Sequence, residues 1–188
     1  MKVDRLLPLA RAVLGAKGLP ETGRAALALA AALGKDLRAL FELDQRAPNE
    51  ALLVRVLGLP LELSLAGETE LALAVARAFS FAARAELSGD IAVILARAGR
   101  RDEALAQLDA NLNRAESPYV AEAKAGDTYR ALGEPDAAEA YYRRALAIAD
   151  NDSDRAEAVL RITSFLLDEG RTADAEAFIK AQRKAPSE

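Results

Sequence analysis

Five glycines recur along the chain at intervals of 33, 32, 34 and 37 residues. They are Gly34, Gly67, Gly99, Gly133 and Gly170. An alanine follows each of them five positions later. Because helix-forming sequence separates these glycines, a period of about 34 residues predicts stacked helical hairpins. We expect each glycine to supply the left-handed residue that ends the first helix of its hairpin.

The composition agrees with closely packed helices and argues against several function classes. Hydrophobic residues make up 52% of the chain and aromatic residues only 5%. The net charge of −4 disfavours a nucleic-acid binder, which needs a basic stripe. The chain contains no cysteine and no histidine, which excludes thiol chemistry and removes the usual metal ligand. We therefore expect no cofactor, no metal site and no enzyme.

The N-terminus does not read as a secretory signal. Asp4, Arg5 and Arg11 interrupt its apolar residues, whereas a signal peptide has an uninterrupted apolar core. The longest fully apolar run, residues 25–33, is about half as long as a membrane-spanning helix. These features predict a cytoplasmic protein that does not insert into a membrane.

The glycine period divides the chain into segments of one predicted domain, residues 1–188. An N-terminal helix is expected within residues 1–19, two irregular hairpins within 20–84, three clearer hairpins within 85–184, and a tail at 185–188. The apolar helices of the N-terminal half must be buried. Burial inside the fold, beneath the first helix, is favoured over an interface with a partner or a second copy.

The second hairpin leaves two alternatives open. Gly58-Leu59-Pro60 must break or kink its first helix, so residues 49–66 form either one kinked helix or two segments. The alternating leucines of residues 61–66 even imitate a strand, although a helix is favoured. After Gly67, a strong helix is predicted to run from Glu68 to about Arg84.

The clearest hairpin, residues 119–152, resembles a tetratricopeptide repeat. Ser117 and Pro118 precede it as a helix-start signature. The repeat pattern of that family asks in turn for a small residue, a tyrosine or leucine, a glycine, an alanine, a bulky residue and a second alanine. In this hairpin those positions are, in the same order, Gly126, Tyr129, Gly133, Ala138, Tyr142 and Ala145. The likeness weakens outward but covers roughly residues 20–184. It implies an all-α, right-handed superhelix (solenoid) of about five hairpins plus the N-terminal helix.

The resemblance also implies where a partner binds, because the first helix of each repeat lines the concave face of such an array. The candidate partner-binding residues on that face are Arg97, Lys124, Asp127, Arg130 and Arg161. Their arginine forks suit a carboxylate or an acidic segment. The alternative is that these residues form ordinary ion pairs along a solvated helix, such as Arg130 with Asp127 or Arg161 with Glu157.

The leading functional hypothesis is a non-catalytic scaffold or adaptor that binds a protein or peptide. One alternative is self-assembly, because terminal repeats need a polar outer face and no obvious polar helix covers the apolar residues of the last hairpin. The apolar residues in question are Phe165, Leu166, Leu167, Phe178 and Ile179. Another alternative is a sensor or regulatory module of a larger system.

Overall fold

The computed structural model describes residues 2–46, 51–114 and 117–184. These ranges contain eleven helices and no strand, so the prediction of an all-α fold is confirmed. The helices are α1 (Lys2–Gly15), α2 (Leu19–Leu33), α3 (Leu37–Arg46), α4 (Leu52–Leu65), α5 (Thr69–Phe79), α6 (Arg84–Arg97), α7 (Arg101–Asn113), α8 (Pro118–Ala131), α9 (Pro135–Ile148), α10 (Asp152–Asp168) and α11 (Thr172–Lys184). The predicted tail at 185–188 and the start of the predicted segment 49–66 lie outside the described residues. Within the described ranges, no helix combines the length and apolarity needed to cross a membrane.

The five periodic glycines form the turns that the sequence predicts. Their φ angles lie between 57° and 84°, in the left-handed region that favours glycine. At Gly133, the backbone N–H of Glu134 donates to the carbonyl oxygen of Tyr129 at 2.9 Å. This bond satisfies a carbonyl group that would otherwise be free at the end of α8.

In the C-terminal half, the helices pack as successive hairpins. Helix α6 packs against α7, α8 against α9, and α10 against α11, while α6 also lies alongside α8. Gly89 permits the close approach of α6 and α8, since a Cβ atom there would be only 2.5 Å from Lys124 Cγ. In the N-terminal half, α2 packs mainly against α1 and α5 and contacts α3 less.

The apolar N-terminal helices are buried beneath α1, which is the arrangement that the sequence favours. Val3, Leu6, Ala10 and Val13 of α1 belong to the same core as the leucines of α2, α3 and α4. The last hairpin differs from the expectation for self-assembly in one respect. Phe165 and Leu166 are 1% and 0% exposed because they pack against Tyr142 and Ala138 of α9, so they are not available to a second copy.

Helix α4 runs unbroken through Pro60. Of the two alternatives for this region, the structure shows a single helix from Leu52 to Leu65. A proline inside a helix costs about 3 kcal/mol. Leu59, Pro60 and Leu63 are all buried, and burial of a leucine side chain stabilises by about 1.5–3 kcal/mol. Tertiary packing therefore offsets the lost backbone hydrogen bond.

The prediction that the helix after Gly67 continues to Arg84 is wrong, because α5 ends at Phe79. The Ser80 hydroxyl donates to the Arg77 carbonyl oxygen at 3.0 Å. The chain then turns so that the Phe81 ring stacks on the Phe79 ring, with centroids 6.2 Å apart. Residues two apart in a continuous helix point in different directions. The turn therefore lets both rings pack on the same core.

Candidate interaction groove

A groove of about 330 Å³ crosses the first helices of three consecutive hairpins, α4, α6 and α8. Its lining residues are Leu61, Val93, Arg97, Asp127, Arg130 and Ala131. Residues three or four positions apart share a helix face, which explains why Val93 and Arg97 line it from α6 and Asp127, Arg130 and Ala131 from α8. Three of the candidate residues, Arg97, Asp127 and Arg130, therefore lie on one surface.

Arg161 of α10 is joined to this surface by an ion pair with Asp127. Its guanidinium donates to Asp127 Oδ2 at 2.6 Å and to Glu157 Oε1 at 2.7 Å, while the Tyr142 hydroxyl donates to Asp127 Oδ1 at 2.8 Å. Burial alone would lower the pKa of Arg161, but the Asp127 charge and the hydrogen bonds to Glu157 and Asp127 outweigh it and raise that pKa. Both carboxylate oxygens of Asp127 are thus engaged within the protein.

Lys124 is committed to a buried ion pair. Its Nζ lies 2.6 Å from Oδ1 of Asp90, and the two side chains are 14% and 5% exposed. Burial raises the pKa of the Asp90 carboxyl above its usual value, although the Lys124 ammonium acts to lower it. Breaking such a pair leaves an uncompensated buried charge. The contact therefore holds α8 to α6, and Lys124 does not line the groove.

The remaining two cations are more accessible. Arg130 donates to Asp168 of α10, and their side chains are 43% and 54% exposed. Arg97 is exposed and forms neither a hydrogen bond nor an ion pair with the residues that the structure describes. The groove therefore presents one unpaired guanidinium and one that belongs to a solvent-exposed pair, which is worth only about 0–1 kcal/mol.

Sequence reasoning missed Leu61 as a groove wall and missed the ion pairs between repeats. Of the within-helix pairs it considered, Arg161 with Glu157 forms, whereas Arg130 bonds Asp168 and not Asp127. The spacing of charges in the sequence did contain a signal for the ion pairs between repeats. Asp90 and Lys124, like Asp127 and Arg161, are opposite charges 34 residues apart, which is one repeat period.

Acid–base and metal chemistry have few candidates among the described residues. These residues contain no group of three or more acidic side chains that could hold a metal ion. The Tyr119 hydroxyl is buried without a hydrogen-bond partner, and burial raises the pKa of Tyr119 to about 12. It is therefore protonated near neutral pH and is not available as a base. The groove offers cations and apolar walls, which suit binding.

Comparison with protein-family models matches residues 123–156 to the tetratricopeptide repeat. The matched segment is one repeat long and contains most of α8, all of α9 and the start of α10. Searches of curated proteins and of solved structures found no match. The matched repeat and the helical fold agree with the resemblance that the sequence suggests, a helical repeat protein of the tetratricopeptide type.

Proposed function

We propose that this helical repeat protein of the tetratricopeptide type is a non-catalytic interaction module that binds an extended protein segment along α4, α6 and α8. The groove is the observation that supports the proposal. Leu61, Val93 and Ala131 give it apolar walls, and Arg97 adds an unpaired guanidinium. An extended segment presents alternate side chains to such a surface. Repeats of this family typically mediate protein–protein interaction, which favours a scaffold over an enzyme.

The proposal includes the finer architecture. We place the groove on the concave face of a right-handed superhelix of about five hairpins preceded by α1. The support is the glycine period, the left-handed turns and the side-by-side packing of α4 with α6 and of α6 with α8. The single-domain division of the chain and the cytoplasmic location remain predictions from the sequence.

The choice of residues for a test follows from their contacts. Reversing the charge of Lys124 or Arg161 would break a buried or largely buried ion pair, so a loss of binding could then reflect a loss of stability. Arg97→Glu breaks no such pair in the described part of the chain. Arg11→Glu is the matched control, because Arg11 is exposed on α1, which contributes nothing to the groove.

The experiment is affinity capture from a native lysate with quantitative mass spectrometry. A protein recovered by the wild type and by Arg11→Glu, but lost with Arg97→Glu, is the expected result. Circular dichroism must show equal helicity for all three proteins. Equal recovery of every captured protein by Arg97→Glu would place the binding surface elsewhere and contradict the proposal.

Self-association is a second candidate, favoured by the outer face of α10. Leu160 and Leu167 are 65% and 50% exposed. Ala123 of α8 is the equivalent of Leu160 in α10, because each lies ten residues before the glycine of its hairpin. Ala123 is only 2% exposed, since it packs with Ala158 of the next hairpin. Sedimentation velocity tests the idea: the wild type should dimerise at high concentration and Leu160→Lys should not. A strictly monomeric wild type would exclude it.

A further inference from the structure

Three ion pairs join α6, α8 and α10 in the described part of the chain, and they differ in how readily a ligand can exchange them. The Asp90–Lys124 pair is buried, and the Asp127–Arg161 pair is about three-quarters buried. Asp127 additionally accepts the Tyr142 hydroxyl. The Arg130–Asp168 pair is about half exposed on both sides, so Asp168 regains full hydration at little cost when it is released. Arg130 is therefore the cation that an incoming anion can take over.

Arg130 and Arg97 line the same groove from adjacent helices. Arg97 lacks an internal partner within the described ranges, whereas Arg130 has Asp168. The rest of the lining is Val93, Ala131 and Leu61, which are apolar, and Asp127, whose carboxylate already accepts bonds from Arg161 and Tyr142. A guanidinium pairs most strongly with a carboxylate, which can accept two parallel hydrogen bonds. The lining therefore matches a segment that carries carboxylate side chains beside apolar ones.

We propose that the groove binds an acidic–apolar peptide segment and that Asp168 is a built-in competitor for its carboxylate. A ligand carboxylate displaces Asp168 from Arg130, while Arg97 binds the same carboxylate or its neighbour. This inference rests on the proposed function and adds to it the ligand's chemistry and an internal device that limits affinity. Displacement also removes one of the two ion pairs that join α8 to α10 among the described residues, the second being Asp127 with Arg161.

The test measures the fluorescence anisotropy of a labelled, C-terminally amidated peptide that alternates leucine with glutamate. Asp168→Asn should bind it about two- to five-fold more tightly, since an exposed ion pair is worth up to about 1 kcal/mol. Arg97→Gln should bind it roughly tenfold more weakly, as expected for a lost charge-assisted hydrogen bond. Glu169→Gln is the matched control, because Glu169 is the next residue, is exposed and has no ion pair within the described ranges. Its affinity should equal that of the wild type.

Each other outcome overturns the inference. Equal gains in affinity for Asp168→Asn and Glu169→Gln would mean that only net charge matters. Weaker binding by Arg97→Gln without any gain for Asp168→Asn would remove the competitor role, while the proposed function would stand. A glutamine-for-glutamate peptide with a free C-terminus that binds as well as the acidic peptide would contradict the assignment to side-chain carboxylates. No binding by wild type or Asp168→Asn would exclude acidic–apolar segments, and lysate capture with Arg97→Glu would still test the groove.

Discussion

The ring of Tyr142 lies so close to the backbone of Gly126 that a Cβ atom at position 126 would be 2.4 Å from ring carbons Cδ1 and Cε1. Tyr142 is 2% exposed, and its hydroxyl donates to Asp127 at 2.8 Å. The ring cannot swing away without losing this bond and its contact with Phe165, whose ring centroid is 5.7 Å away. Gly126 therefore allows α8 and α9 to pack closely.

We predict that Gly126→Ala lowers the free energy of unfolding. Alanine is better than glycine inside a helix by about 1 kcal/mol. Overpacking a filled core costs about 1–3 kcal/mol, and the partner here is a buried ring with little room to move. The steric cost should therefore outweigh the gain in helix propensity, with a net loss of stability of up to about 2 kcal/mol. Urea denaturation followed by circular dichroism measures the change.

Gly58→Ala is the matched control for this prediction. Gly58 is an exposed residue inside α4, and the nearest atom to an added Cβ is Glu62 Oε1 at 3.8 Å. Only helix propensity then applies, so the free energy of unfolding should rise by roughly 0.5–1 kcal/mol. If both variants were stabilised, the close contact with Tyr142 would not be the reason for a glycine at position 126.

The turns and helix starts were predictable from sequence because they depend on nearby residues. The start of α8 needs only Ser117, whose side chain accepts the Val120 N–H at 3.4 Å, and Pro118 in the first turn. The left-handed turns at Gly99 and Gly133 similarly need a residue without a side chain and little else. The helical-hairpin pattern therefore follows from local sequence.

Two features depend on contacts that the sequence alone did not indicate: the point where α5 ends and the ion pair that Lys124 forms. Phe81 ends the helix because its ring packs on the core, which no local signal near Ser80 indicates. Lys124 reads as a free cation on α8, but Asp90 of the preceding hairpin binds it. Repeat positions thus suggested a candidate surface, whereas only the structure shows that Lys124 is paired and that Arg97 has no partner among the described residues.

We predict that Lys124→Met destabilises the protein by about 3–5 kcal/mol at neutral pH, the usual cost of leaving one partner of a buried ion pair alone. Methionine keeps most of the apolar stem that covers Gly89, so lost packing contributes little. The double variant Asp90→Asn/Lys124→Met removes the stranded charge and should recover much of the loss. Urea denaturation of the three proteins checks this, and a double variant as unstable as Lys124→Met would contradict it.

The loss in Lys124→Met should also depend on pH. Burial already raises the folded-state pKa of Asp90 above its usual value of 3.8, and removing Lys124 raises it further. The folded state then binds a proton that the unfolded state has released, so stability falls as pH rises above 3.8. Unfolding of Lys124→Met measured between pH 3.5 and pH 7 should show the deficit growing with pH. A deficit that is constant over this range would mean that the stranded charge is not its cause.

Lys35 offers a stabilising substitution. It is the one residue other than glycine with a positive φ, 66°, in the ranges that the structure describes. The left-handed conformation costs a residue with a side chain about 1–2 kcal/mol, whereas glycine loses roughly 0.5–1 kcal/mol of chain entropy on folding. Lys35→Gly should therefore raise the free energy of unfolding by about 0.5–1 kcal/mol. Lys17→Gly, in the exposed bend after α1 and without positive φ, should lower it instead.

Glu139 provides the clearest acid-dependent contribution to stability. It accepts hydrogen bonds from Arg171 Nη1 at 2.5 Å and from Arg143 Nη2 at 2.6 Å. Burial alone would raise the pKa of Glu139, but the bonds from these arginines outweigh it and hold the pKa below the usual value of 4.5. A carboxyl with a lower pKa in the folded state stabilises at pH above 4.5, and this contribution disappears as pH falls through the folded-state value.

We predict that Glu139→Gln costs about 0.5–1 kcal/mol at pH 7, as partly exposed ion pairs do, and that the cost is smaller at pH 3. Urea denaturation at the two pH values measures the difference between variant and wild type. Glu169→Gln is the control, because Glu169 is exposed and without an ion pair in the described ranges, and at a helix C-terminus its negative charge gains nothing from the helix dipole. Its substitution should cost no stability at either pH. If Glu139→Gln lost as much stability at pH 3 as at pH 7, the carboxylate charge would not be what links the α9 hairpin to the turn at Arg171.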